Sequence, residues 1–180
     1  MKIVHLTSVH SRFDARIYLK QCLSLSKIYE VSVIVADGEG TSKFNNISFI
    51  DVGKFVGRYS RAFKATEAIL DEALILNADV YHLHDPELIP IGLKLRKSGK
   101  KVIFDAHEDL PKQILTKHYI PFFIRPFISI IVSKLESKFC ANFGGIVGAT
   151  PFITNKFLKI NKNVVNINNF PRVEELETIS

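Results

Sequence analysis

The stretch from Val80 to Asp109 constrains this chain most, because it reads as strand, helix, strand with a dense ionisable cluster after each strand. Val80, Tyr81 and Leu83 form a short β-prone run, and Asp85-Pro86-Glu87 is a helix start, with an acceptor side chain at the cap, proline in the first turn and a carboxylate at the positive end. Leu88, Ile91 and Leu95 then recur at helical spacing, and Gly99 is placed as a left-handed terminator. Val102, Ile103 and Phe104 form the unbroken apolar run of a strand buried on both faces. This is a βαβ unit. In a parallel sheet the carboxyl ends of neighbouring strands lie side by side. His82, His84, Asp85 and Glu87 after the first strand can therefore share one crevice with Asp105, His107, Glu108 and Asp109 after the second.

The flanking sequence extends the same alternation. Lys2–Val9 reads as a strand followed by a helix that Asp14 caps, with Ala15, Leu19, Cys22 and Ser26 on one face. Strands are expected at Val31–Ala36 and, nearer an edge, at Ile47–Val52, separated by a polar loop after Asp37-Gly38. A packing helix follows from Arg61 to Asn77, with Ala62, Ala65, Ile69, Ala73 and Leu76 inward. Beyond the central unit come a strand at Gly144–Ala149, a helix started by Thr150-Pro151 and a last strand at Val164–Ile167. The expected fold is α/β: a doubly wound, mainly parallel sheet with helices on both faces. A length of 180 residues with 47% hydrophobic content suits one well-buried domain.

Several function classes are excluded at this level. The first strand–helix turn lacks the G-x-G-x-x-G of a dinucleotide site, and His10, Arg12, Asp14 and Arg16 stand there instead, over the same crevice. Arg12 and Arg16 can take a phosphate or carboxylate bidentately, or simply line a solvated helix face. No Ser/His/Asp triad, nucleophile elbow or P-loop is present. His107, just past an apolar strand and flanked by Asp105 and Glu108, is the foremost candidate for chemistry. His82 reads as a strand histidine satisfied by backbone, and Glu108 and Asp109 either contact substrate or cap the next helix. Cys22 and Cys140 have no metal-ligand spacing and read as small buried hydrophobes of a reducing, cytosolic protein. The net charge of +6 favours anionic partners without naming one. The N-terminus lacks the order of a signal peptide, and the apolar run Ile120–Val132, interrupted by Pro121, Arg125 and Pro126, is too short to span a bilayer. From Lys112 to Lys138, cations alternate with aromatics including Phe122, Phe123 and Phe127, the pattern of either a membrane-surface segment or a buried helix pair.

Three segments, TSVHSRFDARIYLKQCLSL, YHLHDPELIPIGLKLRKSGKKVIFDAHEDLPKQI and GGIVGATPFI, together resemble the N-terminal domain of bacterial family-4 glycosyltransferases. These are retaining enzymes of GT-B fold that build capsule, O-antigen and exopolysaccharide chains. The resemblance implies a Rossmann-like acceptor domain over residues 1–167, with Asn168-Asn169-Phe170-Pro171 opening residues 168–180 as the start of an interdomain linker or a tail. The nucleotide-sugar donor would be bound mainly by a C-terminal domain absent from this sequence, without a metal or a tightly bound cofactor. His107 matches a residue set against the transferred sugar. Around it, His10, Arg12, Asp14, Arg16, His84, Asp85, Glu108 and Asp109 are expected to contact substrate. Lys112, Lys117, Phe122, Phe123 and Arg125 match a region that docks relatives on anionic membrane. The implied partners are a sugar or lipid-linked sugar acceptor and the inner face of the membrane, not nucleic acid. Two other readings compete: a metal-dependent hydrolase using His82, His84, Asp105 and His107, and a non-catalytic membrane-docking module.

Overall fold

The computed structural model describes residues 1–171. An eight-stranded sheet is built from β1 (Lys2–Leu6), β2 (Glu30–Val35), β3 (Ser42–Phe44), β4 (Ile47–Asp51), β5 (Val80–Leu83), β6 (Lys101–Ala106), β7 (Gly145–Gly148) and β8 (Val164–Asn166). Their spatial order is β3-β4-β2-β1-β5-β6-β7-β8, and every pairing is parallel except that of β3 with β4. The chain thus winds outward from β1 in one direction, returns, and winds outward from β5 in the other. The switch point lies between β1 and β5, where such sheets open a crevice beyond their carboxyl ends.

The sheet has helices on both faces, as the doubly wound expectation requires. One face carries α2 (Thr66–Leu76), α3 (Ile89–Lys97), α5 (Arg125–Cys140) and α6 (Pro151–Leu158). There Ile69, Ala73, Leu88, Leu95, Cys140 and Phe157 close over Leu6, Tyr81, Leu83, Phe104 and Ile146. The other face carries α1 (Ala15–Cys22), whose Ile17, Tyr18 and Cys22 pack on Val31, Val33, Ile47 and Phe49. Burial raises the Cys22 thiol pKa and pushes that of Cys140 up to about 12, so both behave as apolar groups. A short helix, α4 (Leu110–Thr116), packs against α5.

Several boundaries and faces differ from the sequence expectations. β1 ends at Leu6 rather than Val9, because the Thr7 hydroxyl accepts from the backbone N–H of His10 and turns the chain. The polar loop after Asp37 contains β3, which covers the expected edge at β4 through a two-residue turn with Asn45 and Asn46 at φ 47° and 62°. Helix α1 is wound wide, with Leu19 N–H reaching back to the Asp14 carbonyl. That winding exposes Ala15 and buries Arg16, Ile17 and Tyr18 instead. The segment before α2 turns helical already at Arg58, three residues ahead of expectation. Asn77, at φ 47°, and Gly99, at φ 81°, supply the left-handed turns that end α2 and follow α3. The linker stretch beyond Pro171 lies outside the described residues.

Gly148, the last residue of β7, lets α6 approach the sheet closely. A Cβ added there would stand 2.9 Å from the Thr154 backbone nitrogen. Gly148→Ala should therefore destabilise the domain by about 1–3 kcal/mol, seen as a lower urea midpoint at unchanged m.

Candidate functional site

The residues around the switch point form two layers. The lower one is carboxylate. Asp85 stands at the N-terminus of the turn leading into α3, yet its side chain makes no cap bond. Its Oδ2 accepts instead from the Thr7 hydroxyl at 2.9 Å and the Ser8 N–H at 2.7 Å, fastening the end of β1 to that of β5. Asp105 is fully buried one strand further on. Arg16 forks onto it, Nε to Oδ2 at 2.9 Å and Nη2 to Oδ1 at 2.7 Å, and Gln21 donates to Oδ2 at 2.5 Å. Burial alone would raise the Asp105 pKa; the close approach of His107 and His84 and the Arg16 fork outweigh it and hold the carboxyl well below its usual range.

Above each carboxylate sits a partly exposed histidine. His107 Nε2 lies 3.2 Å from Asp105 Oδ2, and His10 Nε2 lies 3.3 Å from Asp85 Oδ1. The other His10 nitrogen is 3.2 Å from Asp14, which also caps α1 through the N–H groups of Arg16 and Ile17 as expected. The two rings lie with centroids 5.4 Å apart, tilted by 47°. Two carboxylate-backed imidazoles therefore look into one crevice, an arrangement that can fix tautomers, move protons or hydrogen-bond a polyhydroxyl ligand.

Beneath them lies a histidine stack that sequence reasoning missed in part. His5 on β1 is the register partner of His82 on β5, and His84 follows on the same face. His5 Nδ1 lies 2.8 Å from His84 Nε2, and the three rings pack with centroids 4.7–5.1 Å apart. Contrary to the backbone-satisfied expectation, His82 is buried with Nε2 unpaired, as is His5 Nε2. Burial lowers the pKa of all three, that of His82 to about 3. They are neutral at physiological pH. The alternation of His82 and His84 was visible in the sequence, but His5 joins them only through strand order.

The remaining expected residues have partners of their own. Arg12 is buried and engaged in full: Nε and Nη2 donate to Asp37, Nη1 to Ser42 and Nη2 also to the Gly40 carbonyl. Its partner Asp37 is held below the usual carboxylate range chiefly by that hydrogen bond. Glu108 is exposed and receives the Gln113 amide. Asp109 does not cap α4 but pairs with Lys156 at 2.9 Å and Lys112 at 3.8 Å. Between Lys112 and Lys138 the buried-pair reading fails on one side. Although α4 and α5 pack together, Phe122, Phe123 and Phe127 are 76, 70 and 67% exposed, with Ile130, Ile131 and Leu135 continuing the strip. Lys117, Lys134 and Lys138 flank it, while Arg125 donates to the carbonyls of Ile120 and Leu115. No helix among the described residues is long and apolar enough to cross a membrane.

Two histidine sets have the spacing for a metal, His5–His82–His84 and His84–Asp105–His107. In the first, His5 Nδ1 and His84 Nε2 are already 2.8 Å apart and engaged with each other, and in the second the Arg16 guanidinium already donates to both oxygens of Asp105. An ion at either set would have to displace one of these contacts.

No family model matches the chain, and no curated sequence matches it. Solved structures do. Sucrose-phosphate synthase from Thermosynechococcus elongatus superposes with a TM-score of 0.69 at 12% identity, over 96% of this chain and 49% of that one. A trehalose-6-phosphate synthase matches with a TM-score of 0.59 at 11% identity over 99% of this chain and 54% of its own. The UDP-forming α,α-trehalose-phosphate synthase from Burkholderia xenovorans, in complex with glucose-6-phosphate, gives 0.55 at 11% over 87% and 42%. This chain spans about half the length of these proteins. At such identities the likeness is one of fold, a Rossmann-like, doubly wound sheet.

The buried histidines set an acid limit on stability. Their folded pKa values lie below the unfolded value of 6.5, so the unfolded chain binds protons first, and their contribution, complete above about pH 6.5, is lost as pH falls, for His82 down to about 3. Urea unfolding between about pH 6.5 and 4 should show a loss of roughly 1.4 kcal/mol per pH unit for each proton taken up. His82→Gln should flatten that slope by up to one proton. A slope unchanged in the variant would mean that His82 does not titrate as described.

Proposed function

We propose that this chain is the acceptor-binding half of a nucleotide-sugar-dependent, retaining glycosyltransferase of GT-B type that builds cell-surface polysaccharide. The observation that carries the reading is the pair of carboxylate-backed histidines, His107 over Asp105 and His10 over Asp85, at the switch point of a sheet shared with sugar-phosphate synthases. In the proposed reaction the acceptor oxygen bonds to the anomeric carbon as the bond to the nucleoside diphosphate breaks, with the diphosphate held by a second domain outside this sequence. His107 hydrogen-bonds the transferred sugar, its ring fixed by Asp105. His10, braced between Asp85 and Asp14, and the exposed Glu108 orient the acceptor hydroxyl. Arg16, Arg12 and His84 act from below, holding the carboxylates and loops in register.

The exposed strip over α4 and α5 supports docking on an anionic membrane surface, where a lipid-linked acceptor would lie. It joins aromatic side chains, each worth about 1.5–3 kcal/mol when buried, to lysines worth about 1 kcal/mol apiece near acidic lipid.

Two measurements test this reading. In the full-length gene product assayed with nucleotide-sugar donors, His107→Ala should lower kcat by about 10²–10³-fold; turnover within a few-fold of the parent would remove His107 from the transfer. In sedimentation with phosphatidylglycerol-containing vesicles, the protein should bind at low salt and be released at high salt, and Phe122→Ser/Phe123→Ser should abolish binding. Salt-independent binding, or none, would return the strip to a protein interface.

A further inference from the structure

Two residues beyond His107 the chain enters a second recess, which the transfer step does not use. Asp109, Pro111 and Lys112 at the start of α4, and Phe152, Lys156 and Lys159 on and just after α6, line a cleft of about 420 Å³. That volume is within the range of small-molecule sites, roughly 300–1,000 Å³. The walls are held. The Ser129 hydroxyl donates to the Pro111 carbonyl at 2.7 Å, pinning α4 to α5, and Lys156 bridges Asp109 on one side and buried Glu136 on the other.

The charges of this cleft are unequal. Three amines, from Lys112, Lys156 and Lys159, face a single lining carboxylate, Asp109. Asp109 is shared between Lys156 at 2.9 Å and Lys112 at 3.8 Å, and Lys112 is also held 4.0 Å from the centroid of the Phe152 ring. Glu136 pairs with Lys156 from behind the wall, so even with both carboxylates ionised the three amines leave one positive charge in excess. A neutral ligand leaves that excess unanswered, and a cation adds to it. A dianion with a carbon portion answers both features, its charge to the amines and its carbon to Phe152 and Pro111. A phosphate monoester, carrying about −1.5 to −2 at neutral pH with three acceptor oxygens, has that chemistry.

We propose that this cleft binds a phosphate monoester, the anion among Lys112, Lys156 and Lys159 and the ester carbon against Phe152 and Pro111. The inference rests on the acceptor-binding reading in one respect: the phosphate is then a group on the acceptor, either a sugar phosphate or a lipid phosphate.

Binding is tested on this chain with glucose, glucose 6-phosphate and monomeric dihexanoyl phosphatidate, followed by calorimetry and by backbone amide shifts. Saturable binding of either ester, with shifts confined to residues 109–112 and 152–159 and none from glucose, is the expected result. Lys112→Gln/Lys159→Gln, with its melting temperature unchanged, should weaken it at least about tenfold. The tighter of the two esters identifies the source as sugar or lipid. Absence of saturation by either ester up to about 10 mM, a range that would already be weaker than 3 kcal/mol of binding, overturns the proposal. So does binding that the lysine variant leaves intact. Because this assay needs neither donor nor vesicles, ester binding without sugar transfer would fault the transferase reading alone, and transfer without ester binding would fault the cleft alone.

Discussion

A single buried negative charge organises this molecule. Asp105 has no contact with solvent, and an isolated carboxylate in such a place would cost several kcal/mol, enough to unfold a domain of ordinary stability. It is kept by Arg16, which reaches across from the opposite side of the sheet crossover and fills both of its oxygens. Such a pair is not a clear gain over apolar packing, but removing either member leaves the other charge stranded, at about 3–5 kcal/mol. Its value is geometric. The end of β6, the first helix and the ring of His107 take their positions from one guanidinium fork.

The second carboxylate works differently. Asp85 is satisfied mostly by neutral donors, the Thr7 hydroxyl and the Ser8 N–H, with His10 at its outer oxygen. One acid thus ties strand β5 to the loop after β1, and the other ties β6 to α1. The crevice is assembled from residues some eighty to ninety positions apart, held by hydrogen bonds that depend on the parallel strand order. The neutral histidine stack below fills the space between the two acids without adding charge, and the lowered pKa values are what make that filling compatible with burial.

Much of this was legible in the sequence, and the exceptions share a cause. The βαβ unit, the Asp14 cap, the Thr150-Pro151 helix start and the turn at Gly99 are local signals, fixed by backbone chemistry within a few residues, and they hold in the structure. Asp85 and Asp109 carried the same local signal for capping, yet distant partners claimed their side chains, which no spacing rule can show. The β3 hairpin turned on Asn45-Asn46, a weaker signature than Asn-Gly. His5 looked like any strand residue until strand order set it beside His82. For the aromatic strip the sequence left two readings open, because a segment apolar on most sides suits burial or a surface; in the structure α5 has one side against α3 and α4, and its rings have nothing over them among the described residues.

Arg16 has donors beyond the two that Asp105 takes. Its Nη1 bonds the Ile167 carbonyl at 2.9 Å, and one turn further along the same helix Lys20 grips Asn169 Oδ1 and the Phe170 carbonyl at 2.8 and 2.7 Å. The strand by which the chain leaves the sheet is therefore clasped by the same rigid rod that aligns the site. A guanidinium is planar and cannot turn one donor without turning the rest. Any tug on the departing backbone larger than a hydrogen bond can stretch must either release the clasp or tilt the fork beneath His107, so the pose of the site and the path of the exit cannot vary independently.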